Sequence, residues 1–579
     1  MHSTADSPTI TMSSTWRRRI VIASMLALVW VLASRIFGPS DIWHQTQPRT
    51  VSYTTDIIVH GGNHWILPIE RGGLPATKPP LYNWLAVGAV KLLGFSSEIA
   101  HKFPSLVAMM LCWLILVRLG NRIDIDYSGE SRSEGVRSGG GIVGWLAGMM
   151  FLSNYTIFKL GYLARPDMLL TFWMLLAWIS ATATLKKKGV GSLFLEGKGA
   201  KEKGEEKDSR PLFLPLVFWL SIALGGLTKG PPVIVALVYA LFGARLIGGS
   251  WRSINRLGWW WGLPLSLALI GLWLYGVWLI NPEHLRQELW FNEIYGRMTG
   301  QGPNVDHRGV VEWLKGIGTM PAYYIVRFAP WSILSLLTTL WVLGREKPQA
   351  VRRWRELPDE TRPWIIGAIL FIVLTVGLFS LSAGKRADYI AAAFAPGSLL
   401  ASWWLVHLLP RAGLRLPWLA PLMAAVMLGA MTIVNQLQPN TKRPIPGFAD
   451  NIARFIDASS RELAAHPAEV GFSDTGHSHF MAFIGFSEPD SLDKIETLIA
   501  AGKPFWIFGG RTSRNIDADG VWHISKTSSV KLSIVIQSDF IPGDELFLGT
   551  LRERGWPVRM TLYHAEPRPA PPRPPGSGE

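Results

Sequence analysis

The sequence predicts a polytopic α-helical membrane protein that ends in a small extracytoplasmic α/β domain. Three observations predict this. Of 579 residues, 49% are hydrophobic and only 17% charged, against roughly a quarter charged in an ordinary soluble protein. The apolar residues gather in blocks of about 20, the length that crosses a hydrocarbon core of roughly 30 Å. The basic residues concentrate in alternate connections between those blocks, as membrane orientation demands.

Taken in order, residues 1–16 are polar and lead through Trp16-Arg17-Arg18-Arg19 into the apolar run 20–37. A basic stretch before an apolar run also describes a signal peptide. The run is long and lacks a clear small-residue cleavage site, so an uncleaved first span is expected, with 1–18 cytoplasmic. Spans are expected near 19–37, 99–117, 140–158, 166–185, 212–228, 231–248, 257–280, 323–343, 363–383, 388–409 and 416–435, about eleven in all. Loop charge tests the orientation. Arg118, Arg122, Arg132 and Arg137 fall in one connection, and Lys186-Lys187-Lys188 opens the next on that side. Arg252 and Arg256, then Arg345 to Arg362, then Arg411 and Arg415 complete the series. All share the side of Arg17–Arg19, which makes that side cytoplasmic.

The opposite side receives two long loops, 38–98 and 281–322, and everything after 436. In that last part 448–465 has apolar Ile452, Phe455 and Ile456 at helical spacing, and 504–508 and 530–536 read as strands. An α/β domain over 436–566 follows. Residues 567–579, dense in Pro and Gly, read as a disordered tail.

The formal net charge of +15 does not point to nucleic acid, because the cations sit in membrane-flanking loops and no basic aromatic platform accompanies them. Cys112, the only cysteine, lies in an apolar block, so no intrachain disulfide forms.

The first outer loop, 38–98, carries the densest chemistry: Asp41 to Arg49, then Asp56, His60 and Trp65, then Lys78-Pro79-Pro80-Leu81-Tyr82-Asn83-Trp84. Long ordered loops are usually functional. An aromatic belt at the interface is the plain reading; the sharper one is a surface groove for a lipid phosphate, with Lys78 as its positive charge. His60 and His64 stand at i, i+4, but Gly61-Gly62 between them argues against a helix, so no metal site is expected there. Asp474, His477 and His479 read as ordinary surface residues of the C-terminal domain.

The stretches 42–49 and 61–68, the Lys78–Trp84 motif and His101-Lys102-Phe103-Pro104-Ser105 occur in order with further motifs. These are Arg165-Pro166-Asp167, Leu227-Thr228-Lys229-Gly230-Pro231, Phe291-Asn292-Glu293, Gly296-Arg297, Pro330-Trp331-Ser332 and Lys385-Arg386 before Tyr389. Together they resemble the bacterial aminoarabinose-transferase and protein-mannosyltransferase-like glycosyltransferases of the GT-C superfamily, over roughly 19–410. The resemblance implies a GT-C-like fold with a catalytic first outer loop in a membrane domain spanning 19–435. It implies transfer of a sugar from a polyprenyl-phosphate donor to a lipid, glycan or protein acceptor outside a bacterial inner membrane, without a cofactor. It further implies that Lys78 and Arg297 hold the donor phosphate, that Lys229 adds charge, and that Lys385, Arg386 and Tyr389 close the site. Arg49, Tyr82 and Trp84 would line the first-loop groove.

One departure stands out. The family pattern has an acidic pair just ahead of an Arg; aligning Arg49 there puts Thr46 and Gln47 in place of the carboxylates. Neither side chain is a general base near neutral pH. Asp41, Asp56 or Asp167 could supply the carboxylate, or activity is lost. The alternatives are therefore an inactive relative that binds lipid-linked sugar, or a lipid or sugar transporter. A transporter predicts internal repeats, and none is evident.

Overall fold

A computed structural model describes residues 14–38, 47–70, 74–93, 98–128, 141–186, 212–296, 316–344, 353–382, 385–412, 418–437, 455, 458–459, 461–472, 492–509, 520–523, 529–539 and 559–568. The chain divides into two compact units. One comprises 1–37, 77–82 and 104–434; the other comprises 38–76, 83–103 and 435–579.

Every apolar block becomes helix. In chain order these are α1 (Ser14–Ile36), α2 (Gln47–His60), α3 (Leu81–Leu93), α4 (Glu98–Ser128), α5 (Val143–Leu152), α6 (Tyr155–Leu160), α7 (Asp167–Leu185) and α8 (Phe213–Lys229). Then come α9 (Ile234–Leu246), α10 (Trp259–Ile280), α11 (Thr319–Arg327), α12 (Trp331–Leu343), α13 (Arg362–Leu381), α14 (Phe394–Trp403), α15 (Leu419–Leu437) and α16 (Leu492–Ala500). Among the described residues, six helices are long and apolar enough to cross a membrane, or seven if a bent pair counts as one span. The chain is a multi-pass membrane protein.

Two expected spans are interrupted. The block 140–158 breaks after Leu152, because the Asn154 side chain caps α6 by accepting from the N–H groups of Thr156 (2.8 Å) and Ile157 (3.1 Å). The block 323–343 bends by 115° between α11 and α12, where Pro330 offers no N–H to continue a helical ladder.

Within the first unit, burial separates core from periphery. The α7 window is 78% buried, while that of α10 is 11%. On α10, Leu267, Leu272, Tyr275, Trp278 and Leu279 are exposed. A row this apolar suits hydrocarbon, since a soluble surface rarely tolerates such a patch. At the centre, Trp178 of α7 meets Trp364 and Phe371 of α13 with ring centroids 6.4 and 6.2 Å apart. The Thr182 and Tyr239 hydroxyls, 2.6 Å apart, join α7 to α9.

Helices α4 and α5 approach through glycine. A Cβ on Gly120 would lie 2.6 Å from Gly144 Cα, and a Cβ on Gly144 would collide with the Val117 carbonyl. The start of α5 is capped from α4: Asp124 Oδ2 accepts from Ile142 N (2.7 Å) and Asn121 Oδ1 from Gly144 N (3.0 Å). Backbone cannot yield as a side-chain tip can. Gly144→Ala is therefore expected to destabilise the protein by about 3 kcal/mol or more, readable as an earlier thermal transition in detergent, whereas Gly271→Ala, which meets nothing within 4 Å, leaves it unchanged.

In the second unit, α2 leads to a 3₁₀ turn (Gly62–Trp65) and a short hairpin of β1 (Ile69–Glu70) and β2 (Leu74–Pro75). Ala89, Val90 and Ala100 bury a small cluster against Ile58. The C-terminal part forms a five-stranded sheet of order β3-β4-β7-β6-β5, with β3 (Val470–Phe472), β4 (Phe505–Gly509), β5 (Val521–His523), β6 (Ser529–Asp539) and β7 (Arg559–Arg568). Among the described strands only β3 and β4 pair in parallel, with α16 between them in sequence, as a parallel pair requires a crossover. Phe505 and Ile507 alternate inward and pack with Ile495, Trp522, Val530 and Tyr563. The two expected strands appear as β4 and β6. β7 reaches Arg568, past the expected start of the tail at 567, because Pro567 and Arg568 still align with Val530 and Ser529. Of the helix expected over 448–465, residues 461–465 are helical and Phe455 is buried; Ile452 and Ile456 lie outside the described residues, as do Asp474, His477 and His479.

Candidate active site

Helix ends bring opposite charges together in the first unit. α7 starts at Asp167, where a carboxylate suits the positive end of the helix; α8 stops at Lys229, where an ammonium suits the negative end. The stop is built in: Gly230 takes φ 80°, and Pro231-Pro232 cannot extend the ladder. The ends of α7 and α8 thus put the Lys229 ammonium on Asp167 Oδ1 in a direct ion pair.

Arg165 supplies a second cation. Its backbone is pinned from α4, where the Ser105 hydroxyl lies 2.6 Å from the Leu163 carbonyl and 3.0 Å from that of Arg165. The Tyr82 hydroxyl also donates to the Leu163 carbonyl, at 3.1 Å. So held, the guanidinium forks: Nη2 is 3.1 Å from Asp167 Oδ2 and Nη1 is 3.0 Å from Asp388 Oδ2. Both Arg165 and Asp167 are buried, and such a planar bridge between two carboxylates suits Arg better than Lys. Asp167 Oδ2 meets Arg165 as an ion pair but takes no hydrogen bond among the described residues. Tyr389 places its ring 4.6 Å from the Lys229 ammonium, a cation–π contact that holds the charge without neutralising it.

Lys78 completes the cluster. It is half-buried and has no hydrogen-bond or salt-bridge partner among the described residues. Burial, reinforced by the charge of Lys229 and then partly offset by Asp167, pushes its ammonium down to about 7. Lys78, Arg165 and Lys229 share this site with Asp167, Asp388 and Glu293, and Lys159 adds a fourth cation near Asp388, so cations outnumber carboxylates and the site can accept a further anion.

The structure brings together Lys78, Asp167, Lys229, Tyr82 and Tyr389 of the expected residues. Lys385 instead donates to the carbonyls of Ser380 and Ser382, both at 2.8 Å, which ties its own turn. Arg386 is exposed. Asp41, Thr46 and Arg297 lie outside the described residues. In the second unit, Arg49 is exposed, Trp84 donates to the Trp65 carbonyl (2.7 Å), and Asp56 accepts the Ile69 N–H (2.7 Å). Sequence reading passed over Asp388, although it lies inside the Lys385–Tyr389 motif, and gave Ser105 no role. Both act by holding Arg165, a partnership across more than 200 residues in the case of Asp388 that no local pattern signals.

The fold is that of a mostly helical, multi-pass membrane protein with a small sheet at its C-terminus. No family model matches the chain. Its sequence is similar to the bacterial aminoarabinose transferases, as the motifs implied. It is 23% identical over 407 residues to the undecaprenyl phosphate-α-4-amino-4-deoxy-L-arabinose arabinosyl transferase of Aeromonas salmonicida, covering 68% of this chain and 62% of the relative. It is also 23% identical over 378 residues to the transferase of the same name from Aeromonas hydrophila. The chain thus spans about three fifths of the length of these relatives. The crystal structure of ArnT from Cupriavidus metallidurans bound to undecaprenyl phosphate superposes with a TM-score of 0.61 at 14% identity, over 96% of this chain and 98% of that one. The fold is shared nearly end to end.

Proposed function

We propose that this chain is a glycosyltransferase that moves a sugar from a polyprenyl-phosphate donor to an acceptor hydroxyl or amine at the outer face of a bacterial inner membrane, with the C-terminal sheet domain on that outer side. The observation that carries the reading is Lys78: a desolvated lysine with no hydrogen-bond or salt-bridge partner among the described residues, beside Lys229 and Arg165, whose charge Asp167 and Glu293 only partly balance. The leaving group of such a transfer is a phosphate monoester, and fixed cations stabilise it as charge develops. In this reading the anomeric C–O bond to phosphate breaks, the acceptor atom bonds to the anomeric carbon, and the acceptor proton passes to a carboxylate. Asp167, whose Oδ2 retains hydrogen-bonding capacity, is the carboxylate at hand. The named ligand of the similar ArnT structure, undecaprenyl phosphate, supports the donor class.

One observation favours a second reading, donor binding without transfer. Gln47, in the place of an expected carboxylate, is fully buried at the start of α2 and brings no base. Liposomes loaded with labelled polyprenyl-phosphate sugars separate the two. Release of free polyprenyl phosphate supports the transferase, binding without release supports the inactive relative, and failure to bind any donor refutes both.

The Lys78 environment also sets a pH dependence. A lysine that titrates near 7 when free and is held charged by a phosphate takes up a proton on binding. Binding is then strongest below pH 7, where the proton is already present, and weakens as pH rises, by at most about tenfold per unit. Donor affinity measured from pH 6 to 9 is expected to fall in the native protein and to stay nearly flat in Lys78→Arg, whose guanidinium keeps its proton.

A further inference from the structure

A second cluster of chemistry-bearing side chains belongs to the second unit and includes Asp56. Asp56 and His60 share one face at the end of α2, one helical turn apart. The glycines that argued against a helical His60–His64 pair do end the helix, but they then fold the chain back. Gly61 and Gly62 take φ 63° and 50°, and the 3₁₀ turn that follows returns His64 onto the same carboxylate. His60 Nδ1 lies 2.9 Å from Asp56 Oδ1 and His64 Nδ1 lies 2.6 Å from Asp56 Oδ2. The two imidazole centroids are 4.8 Å apart. One ligand atom from each residue falls within 4.8 Å of the others.

We infer that Asp56, His60 and His64 form a binding site for a divalent transition-metal ion of the zinc type, which pins the turn between α2 and β1. Two imidazole nitrogens and one carboxylate are the donor set that zinc takes, and hard oxygen-seeking ions such as magnesium or calcium do not favour it. The spacing fits. Tetrahedral zinc with ligand bonds near 2.0–2.1 Å sets its donors about 3.3 Å apart; the three ligand atoms already lie within 4.8 Å of one another, so they close on a common centre by side-chain shifts of about 1.5 Å at most. In the metal-free protein an Nδ1–H bridges each ring to the carboxylate; with metal, each ring ligates through Nδ1 and carries its N–H on Nε2. The carboxylate is oriented beforehand, since Asp56 Oδ2 accepts the Ile69 N–H at 2.7 Å, the kind of outer support that metal ligands use. Access is also present. The Asp56 side chain is 2% exposed, whereas those of His60 and His64 are 39% and 28% exposed, which leaves the fourth position open to water. On this inference Asp56 is a ligand and not the base of a transfer reaction, and the site stands whether or not the chain is a transferase.

The test uses the full-length protein in detergent, stripped with a chelator, re-equilibrated with zinc and desalted. Elemental mass spectrometry is expected to find about one zinc per chain, falling to about a tenth or less in a His60→Gln/His64→Gln variant. Those substitutions keep the Asp56–Ile69 hydrogen bond, so the variant folds. Zinc should raise the thermal transition of the native protein and leave that of the variant unmoved. Equal zinc in the two proteins, or none in the native one, overturns the site. A thermal shift by zinc that persists in the variant would assign the metal to other histidines and overturn it as well.

Discussion

Lys78→Ala should lower release of polyprenyl phosphate by at least about 100-fold while leaving the thermal transition of the protein unchanged or slightly higher. The two halves of this expectation come from the same feature. Removing one fixed donor aimed at developing charge costs roughly 10²–10³ in rate. Lys78 nevertheless supports little in the unliganded protein: it has no hydrogen-bond or salt-bridge partner among the described residues, and burial, Lys229 and Arg165 oppose its charge more than Asp167 and Glu293 favour it. Taking away an unfavourably placed cation does not weaken the fold. Lys78→Arg should recover part of the rate at neutral pH. Turnover that survives Lys78→Ala would remove the lysine from the site and with it the main support for a phosphate-bearing donor.

Asp167→Asn should do the reverse in stability and the same in activity. The carboxylate is buried against both Lys229 and Arg165. Removing its charge without changing its shape leaves buried cations uncompensated, which costs about 3–5 kcal/mol when one member of a buried pair is lost. The expected result is a much earlier thermal transition in detergent together with loss of polyprenyl phosphate release. Adding Lys229→Met in the same chain should recover most of the stability, because Arg165 keeps its contact with Asp388 at 3.0 Å, but none of the activity. A double variant no more stable than Asp167→Asn would mean that the loss is not one of unpaired charge.

Much of the fold was legible in the sequence, for a physical reason specific to membranes. Each spanning segment satisfies its own backbone, so a block such as 166–185 or 257–280 declares itself by composition alone, without reference to a partner. The breaks were less visible. Asn154 and Pro330 are ordinary residues in apolar surroundings until their position within a span is known. β7 was unread because its residues, Arg559–Arg568, mix charge, aromatic and Pro without clean alternation; pairing with β6 and β4 makes it a central strand of its sheet.

The candidate site divides in the same way. Asp167 and Lys229 were legible through the ordered motifs that carry the family resemblance, and Lys78 also because a lysine among prolines and aromatics is odd in a connector. Which ions pair was not local. Arg165 chooses both Asp167 and Asp388, Lys385 turns to its own backbone carbonyls, and His64 returns to Asp56 across two left-handed glycines. Apolar periodicity, loop charge and the order of motifs are sums over neighbouring residues, and the chain carries them without folding. The distances between charges depend on which helix ends meet, and only the packing of α4, α7, α8 and the segment before α14 decided that.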